Sequence, residues 1–183
     1  MAGVFKEAVL TAKGIALLAK AQAGRCTIKL IKAATGDGSY SDGEALTNRT
    51  ALKSKKQEFA LITVTTQNQS NVYVKFIITN KQDTGNLKNG YYVKEVGIYA
   101  QDPDEGEILY ALAVGVANQW DYMPAYNDLL PSTITMDFLT EVANATDVTI
   151  VTPNSMYLYD QTTGDKYVLG VDKGLLYYEE VEE

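Results

Sequence analysis

The sequence predicts a mainly β protein, α+β in that it carries one N-terminal helix. The expected core is an antiparallel β-sandwich or barrel-like body, followed by a small C-terminal β-meander. One stretch near the N-terminus has helical character and signals at both ends, whereas about ten later stretches alternate with period two. Breaks rich in Gly and Asp separate those stretches, as antiparallel connections require.

Residues 11–23 read as the helix. Thr11 stands at the N-cap, where its hydroxyl takes an unpaired backbone N–H. Alanines and leucines fill the body, and Gly24 suits the left-handed residue after the last turn. Ile15, Leu18, Ala19 and Gln22 fall on one face, giving a short apolar stripe. So short a helix is marginal alone. It is expected to dock on its own sheet or on a neighbouring subunit.

Residues 26–34 begin the strands, and Gly36 to Gly43 (GDGSYSDG) form a turn-rich loop. Residues 57–66 follow. Next, Val72, Val74, Phe76 and Ile78 point one way and Tyr73, Lys75 and Thr79 the other. Residues 91–100 form a further strand, joined by Asp102 to Gly106 (DPDEG) as a hairpin with a loop of five or six residues. Beyond it Ile108, Tyr110, Leu112, Val114 and Val116 line one face, with Leu109, Ala111, Ala113 and Gly115 opposite. Asn118 to Leu130 is a long loop carrying Trp120, Tyr122, Pro124 and Tyr126. Then Ile134, Met136, Phe138 and Val142 alternate with Thr133, Thr135, Asp137 and Glu141. Residues 147–152, 156–160, 166–171 and 175–181 complete the strands.

A boundary near Pro153-Asn154 divides the chain into residues 1–152 and 153–183. The second part has turns at Thr163-Gly164 and Asp172 to Gly174, and holds Tyr157, Tyr159, Tyr167, Tyr177 and Tyr178. A three-stranded meander is close to the minimum for stability and needs a packing partner.

Composition narrows the function. A chain of 183 residues buries roughly 70% of its unfolded surface and needs no disulfide or metal to fold. There is no histidine, and Cys26 is the single cysteine, so most nucleophile–base and metal chemistry is out of reach. No GxSxG elbow, dinucleotide fingerprint or phosphate loop occurs. Asp37, Asp42 and Glu44 carry oxygens that suit Ca²⁺, but turn chemistry explains them. The expectation is a protein that is not an enzyme, with no cofactor or metal. Net charge −7 with 16 Lys and Arg argues against nucleic acid. Lys13 and Lys20 bracket too short an apolar run for a secretion signal, and nothing approaches the ~20 apolar residues of a membrane span. Thirteen Tyr against 4 Phe and 1 Trp suit half-buried contact faces, either protein or sugar.

Four segments carry a resemblance. They are LTAKGIALLAKAQAG (Leu10 to Gly24), the Gly36-Asp37-Gly38 turn, ALTNRTALKSKKQ (Ala45 to Gln57) and GYYVKEVGIYAQDPDEGEILYA (Gly90 to Ala111). Together they resemble the N-terminal domain of phage tail-collar fibre proteins. The resemblance implies a structural component of a phage tail or phage-tail-like contractile particle. Its role would be a tail fibre or collar adaptor attached to the baseplate, assembled in the bacterial cytoplasm and acting through protein–protein contacts. Family proteins continue into a long fibre where this chain ends, so a short adaptor is expected. Implied partners are copies of itself, with a trimer favoured, and baseplate or tail fibre proteins. The interface candidates are Ile15 and Leu18 on the helix, Trp120, Tyr122 and Tyr126 in the long loop, and Tyr157, Tyr159, Tyr167, Tyr177 and Tyr178 in the last strands. The loop rings alternatively plug the ends of the core. The competing function is a carbohydrate-binding adhesin module for host-surface glycan. An adhesin predicts exposed, coplanar rings; an adaptor predicts rings that disappear into subunit contacts.

Overall fold

The structure is a computed structural model, and it describes residues 3–66, 71–83, 85–141, 148–150, 156–159, 166–172 and 175–180. The chain forms two compact units, Met1–Val151 and Thr152–Glu183. In the first unit β1 (Val9–Leu10), α1 (Ala12–Gln22) and β2 (Ile28–Gly36) lead. A 3₁₀ turn at Leu46–Asn48 precedes β3 (Lys55–Phe59), β4 (Leu61–Thr66) and β5 (Asn71–Thr79). Then come β6 (Tyr91–Val93), β7 (Glu95–Asp102), β8 (Gly106–Val114), β9 (Asp121–Met123), β10 (Thr133–Glu141) and β11 (Val148–Ile150). The second unit holds β12 (Met156–Tyr159), β13 (Lys166–Asp172) and β14 (Leu175–Glu180) as an antiparallel sheet in that order.

The expected mainly β fold with one N-terminal helix is what forms. One sheet runs β1-β8-β7-β2-β11, with β3 sharing the outer edge of β2. The other runs β10-β5-β4, and β6 pairs β9 as a separate ribbon. The pairs are antiparallel except β11 with β2. Residues of both sheets meet in one core, where Val72, Val74, Phe76 and Ile78 of β5 pack with Leu30, Val96, Ile98 and Tyr110. The back of the larger sheet has its own cluster of Ala34, Leu52, Tyr99, Leu109, Leu112 and Val114, against which Tyr40 and Leu46 pack. This second covering is why β8 is buried on both faces.

Four sequence expectations change in tertiary context. Residues 57–66 are two strands: the chain leaves the first sheet at Phe59 and joins the second at Leu61. Residues 91–100 break at Lys94, whose N–H donates to the Gly36 carbonyl (2.9 Å) while its own carbonyl accepts from Gly115 (2.8 Å). The Asp-Pro hairpin is tighter than predicted, because β7 and β8 pair out to Asp102 and Gly106. Asp102 drives this by accepting the N–H of Asp104 (2.8 Å) and of Glu105 (3.1 Å), while Gly106 supplies a positive φ of 78°.

The fourth change is a β-bulge. Tyr99 pairs Leu109 and Ile98 pairs Ala111, so Tyr110 is an extra residue on β8. The alternation therefore changes phase there. Ala111 and Ala113 join Ile108 and Tyr110 in the main core, while Leu112 and Val114 join Leu109 behind the sheet. On β10, Ile134 and Met136 are half-buried and Phe138 buried, against exposed Thr133, Thr135 and Asp137. Val142 and the turns at Thr163-Gly164 and Lys173-Gly174 lie outside the described residues.

Candidate functional site

The helix docks at the bulge. The Thr11 N–H donates to the Tyr110 carbonyl (3.0 Å), its hydroxyl donates to the Leu109 carbonyl, and the same hydroxyl oxygen caps Gly14 N–H at 3.0 Å. Gly14 rests on the Tyr110 backbone, where a Cβ would clash with the carbonyl. The buried helix face is therefore Gly14, Leu17 and Ala21, with Leu18 half-buried. The stripe expected from Ile15, Leu18, Ala19 and Gln22 is rotated away, because contact with backbone favours the residue without a side chain. Ile15 is left 49% exposed, and Leu18 packs on the main core rather than standing free.

Glu95 is a buried carboxylate that the sequence reading passed over. One oxygen accepts N–H groups of Gly38 (3.1 Å) and Ser54 (2.7 Å). The other accepts Lys53 N–H (2.9 Å) and the Tyr40 hydroxyl. Burial and this acidic neighbour push the Tyr40 phenol well above its usual range. A single anion thus ties the 36–43 loop to residues 53–54. The sequence signal was Gly36 and Gly38, since a Cβ at either would meet the Glu95 carboxylate.

The acidic loop residues are matched to lysines: Asp37 to Lys56 (3.1 Å), Asp42 to Lys6 (3.3 Å) and Glu44 to Lys53 (2.6 Å). At Asp37 burial raises the carboxyl, but the Ser54 hydroxyl and Lys56 outweigh it and leave it below its ordinary value.

Tyr122 lies on β9, three residues whose short alternation gave no strand signal, and Trp120 directly precedes the strand. With Tyr92 on the paired β6 they make an aromatic ledge. The Tyr92 and Tyr122 centroids are 5.0 Å apart with planes inclined 56°; Tyr92 and Trp120 are 6.3 Å apart at 59°. The Lys94 ammonium lies 4.5 Å from the Trp120 centroid. The rings are seated on glycines: a Cβ on Gly115 would be 2.5 Å from Trp120, and one on Gly90 would overlap the Tyr122 hydroxyl. Tyr122 is 53% exposed, whereas Trp120 and Tyr126 are half-buried. Trp120 also walls a cavity of about 310 Å³ beside Tyr40, Lys94 and Glu44. Tyr126 stands apart, under Lys81 at 5.8 Å. The terminal tyrosines belong to the second unit: Tyr157 and Tyr159 on β12, Tyr167 on β13, and Tyr177 and Tyr178 on β14. In register Tyr157 is opposite Val168, Tyr167 opposite Leu158 and Glu180, and Tyr177 opposite Gly170.

The architecture defines a β-rich protein that presents exposed Tyr92 and Tyr122 beside half-buried Trp120. A family model described as phage tail-collar fibre protein, N-terminal, matches residues 1–175, well past residue 150. The chain belongs to that family. It is a structural protein of the phage tail, a virion component that interacts with other tail proteins. No curated protein matches the chain, and no solved structure does. No helix among the described residues is long and apolar enough to cross a membrane.

Proposed function

We propose that this chain is an adaptor that seats a tail fibre or collar on the baseplate, works through repeated protein–protein contacts that include copies of itself, and assembles in the bacterial cytoplasm before joining the particle. A trimer is the expected count. The observation that carries this reading is the ledge of Tyr92, Tyr122 and Trp120, in which Trp120 lies against Gly115 and Tyr122 against Gly90. Tyr and Trp are the side chains that most often carry interface energy, and a preorganised ring loses little entropy on contact. The inclined planes, and an ammonium already placed over the indole, favour protein packing over the flat stacking a sugar ring needs. We read the chain as non-catalytic, since it has no histidine to serve as a base.

The test is gold-labelled antibody against the chain on intact particles, together with particles produced without it. Label at the baseplate end, and loss of fibres when the chain is missing, are expected. Label elsewhere, or a full set of fibres without the chain, would overturn the adaptor reading. Binding to a host-glycan array that disappears in Tyr122→Ala would instead establish the adhesin.

A further inference from the structure

The sequence holds one Asn–Gly pair, Asn89-Gly90, and the fold leaves it untied between two fixed points. On one side Leu87 is held through both backbone groups: its N–H donates to the Asn80 carbonyl (2.9 Å) and its carbonyl accepts Tyr126 N–H (2.9 Å). On the other side Tyr91 begins β6, in register with Met123. Between them the chain bends at Lys88 and Asn89, and Asn89 is exposed. Among the described residues no hydrogen bond engages the Asn89 amide or the Gly90 N–H.

This arrangement suits an intramolecular reaction. A side-chain amide carbon tethered beside a backbone nitrogen meets it at an effective concentration that separate molecules do not reach. The side chain of the following residue normally obstructs that approach. Gly90 has no side chain, and its backbone is free of the restriction a Cβ imposes. The other asparagines among the described residues are followed by residues with side chains, as at Asn118-Gln119 and Asn127-Asp128.

We propose that Asn89-Gly90 is a self-modifying site, where the folded chain converts Asn89 to isoaspartate and so unseats Tyr122 from Gly90. The Gly90 nitrogen attacks the Asn89 Cγ. The N–Cγ bond forms, the Cγ–Nδ2 bond breaks, and ammonia leaves with the proton of the Gly90 N–H. Water then opens the cyclic imide. Opening at Cγ gives aspartate; opening at the Asn89 main-chain carbonyl gives isoaspartate, whose main chain runs through the former side chain. One ammonia is released and one water consumed, with no change of oxidation state. The isoaspartyl link adds one carbon to the main chain directly before β6. Gly90 has little room to move, since a Cβ on it would lie 2.3 Å from the Tyr122 hydroxyl and 2.9 Å from the Met123 carbonyl oxygen. The reaction does not depend on the adaptor role; only its consequence for binding does.

The experiment ages the full chain in mildly alkaline heavy-oxygen water, both folded and unfolded in guanidinium. Asn89→Gln, whose longer side chain would need a six-membered ring, is aged beside it. Proteolysis and mass spectrometry should show the peptide holding residue 89 gaining one mass unit from the change of amide to acid and two more from the heavy oxygen. Aspartate and isoaspartate should appear together. The folded rate should stay within about tenfold of the unfolded rate, because no hydrogen bond has to open first. Trp120 is the one tryptophan of the chain and lies 6.3 Å from the Tyr92 ring of the ledge. Its fluorescence should change in step with isoaspartate and stay constant in Asn89→Gln. Asn89 intact in the folded chain while the unfolded chain converts overturns the proposal. So does aspartate without isoaspartate, which marks direct hydrolysis. Conversion with unchanged fluorescence overturns the link to Tyr122 and leaves the reaction standing, while labelling of the particle decides the adaptor role separately.

Discussion

Gly14→Ala sets two effects of opposite sign against each other. In an isolated helix the change stabilises by about 1 kcal/mol. In this fold a Cβ at Gly14 would lie 3.0 Å from the Tyr110 carbonyl carbon and 3.2 Å from its Cα, and would overlap the oxygen. Ordinary carbon contacts lie at about 3.5–4.0 Å, so α1 must withdraw by at least about 0.5–1 Å. Withdrawal stretches the Thr11 hydrogen bonds to β8 and opens space beneath Leu17, which is fully buried. A weakened cap and partly lost burial cost about 3–5 kcal/mol. The net effect is a destabilisation of about 2–4 kcal/mol after the propensity gain. For a chain of this length that lowers Tm by roughly 5–15 °C. The assay is thermal melting by circular dichroism, with a urea midpoint at unchanged m-value. Ala16→Gly, exposed on the same helix, is the control and should lose only about 1 kcal/mol. A Gly14→Ala protein that melts at or above the wild type would refute the close docking of α1 on the bulge.

Glu95→Gln should cost about 1–3 kcal/mol, because the amide keeps a single acceptor oxygen and its nitrogen faces either the Lys53 N–H or the N–H groups of Gly38 and Ser54, none of which it can accept. A urea midpoint matching the wild type would contradict its role as the anchor of the 36–43 loop. Tyr91 is buried, its hydroxyl bonded to Thr35 (2.6 Å) and Gln57 (3.0 Å), and burial pushes its phenol up to about 12. The native state therefore holds the phenolic proton more tightly than the unfolded chain. The stabilisation is complete below about pH 10 and is lost as pH rises through about 12. Tyr91→Phe should lose about 1–3 kcal/mol at neutral pH and flatten that alkaline decline, which stability measured from pH 9 to 12 will report. Burial alone would raise the Asp102 carboxyl. The Lys20 ammonium (2.8 Å) and the N–H groups of Asp104 and Glu105 outweigh it and hold the carboxyl below its ordinary value. Its contribution is present above about pH 4 and falls away below it. In Asp102→Asn that acid-limb loss should shrink; an unchanged profile between pH 2 and 5 would remove Asp102 as a source.

The sequence by itself determined the elements whose cause is local. Thr11, the alanines and Gly24 specify α1 without reference to anything else. The alternation of Val72, Val74, Phe76 and Ile78 specifies β5 and its buried face. The absent histidine limits chemistry whatever the fold, and the segments at Leu10 and Gly90 carry the family. Only the tertiary structure decided what depends on partners distant in the chain. The face α1 buries was set by a bulge about a hundred residues away, since only Gly14 tolerates the Tyr110 carbonyl. The same bulge reversed the faces of the second half of β8, a phase change that no period count registers. Glu95 reads as one more acid on a strand until Gly38, Lys53 and Ser54 surround it, 57, 42 and 41 residues away along the chain. Trp120 and Tyr122 were visible as aromatic weight in a loop. Their seating on Gly115 and Gly90 follows from β6 pairing β9, a long-range contact between strands too short to announce themselves.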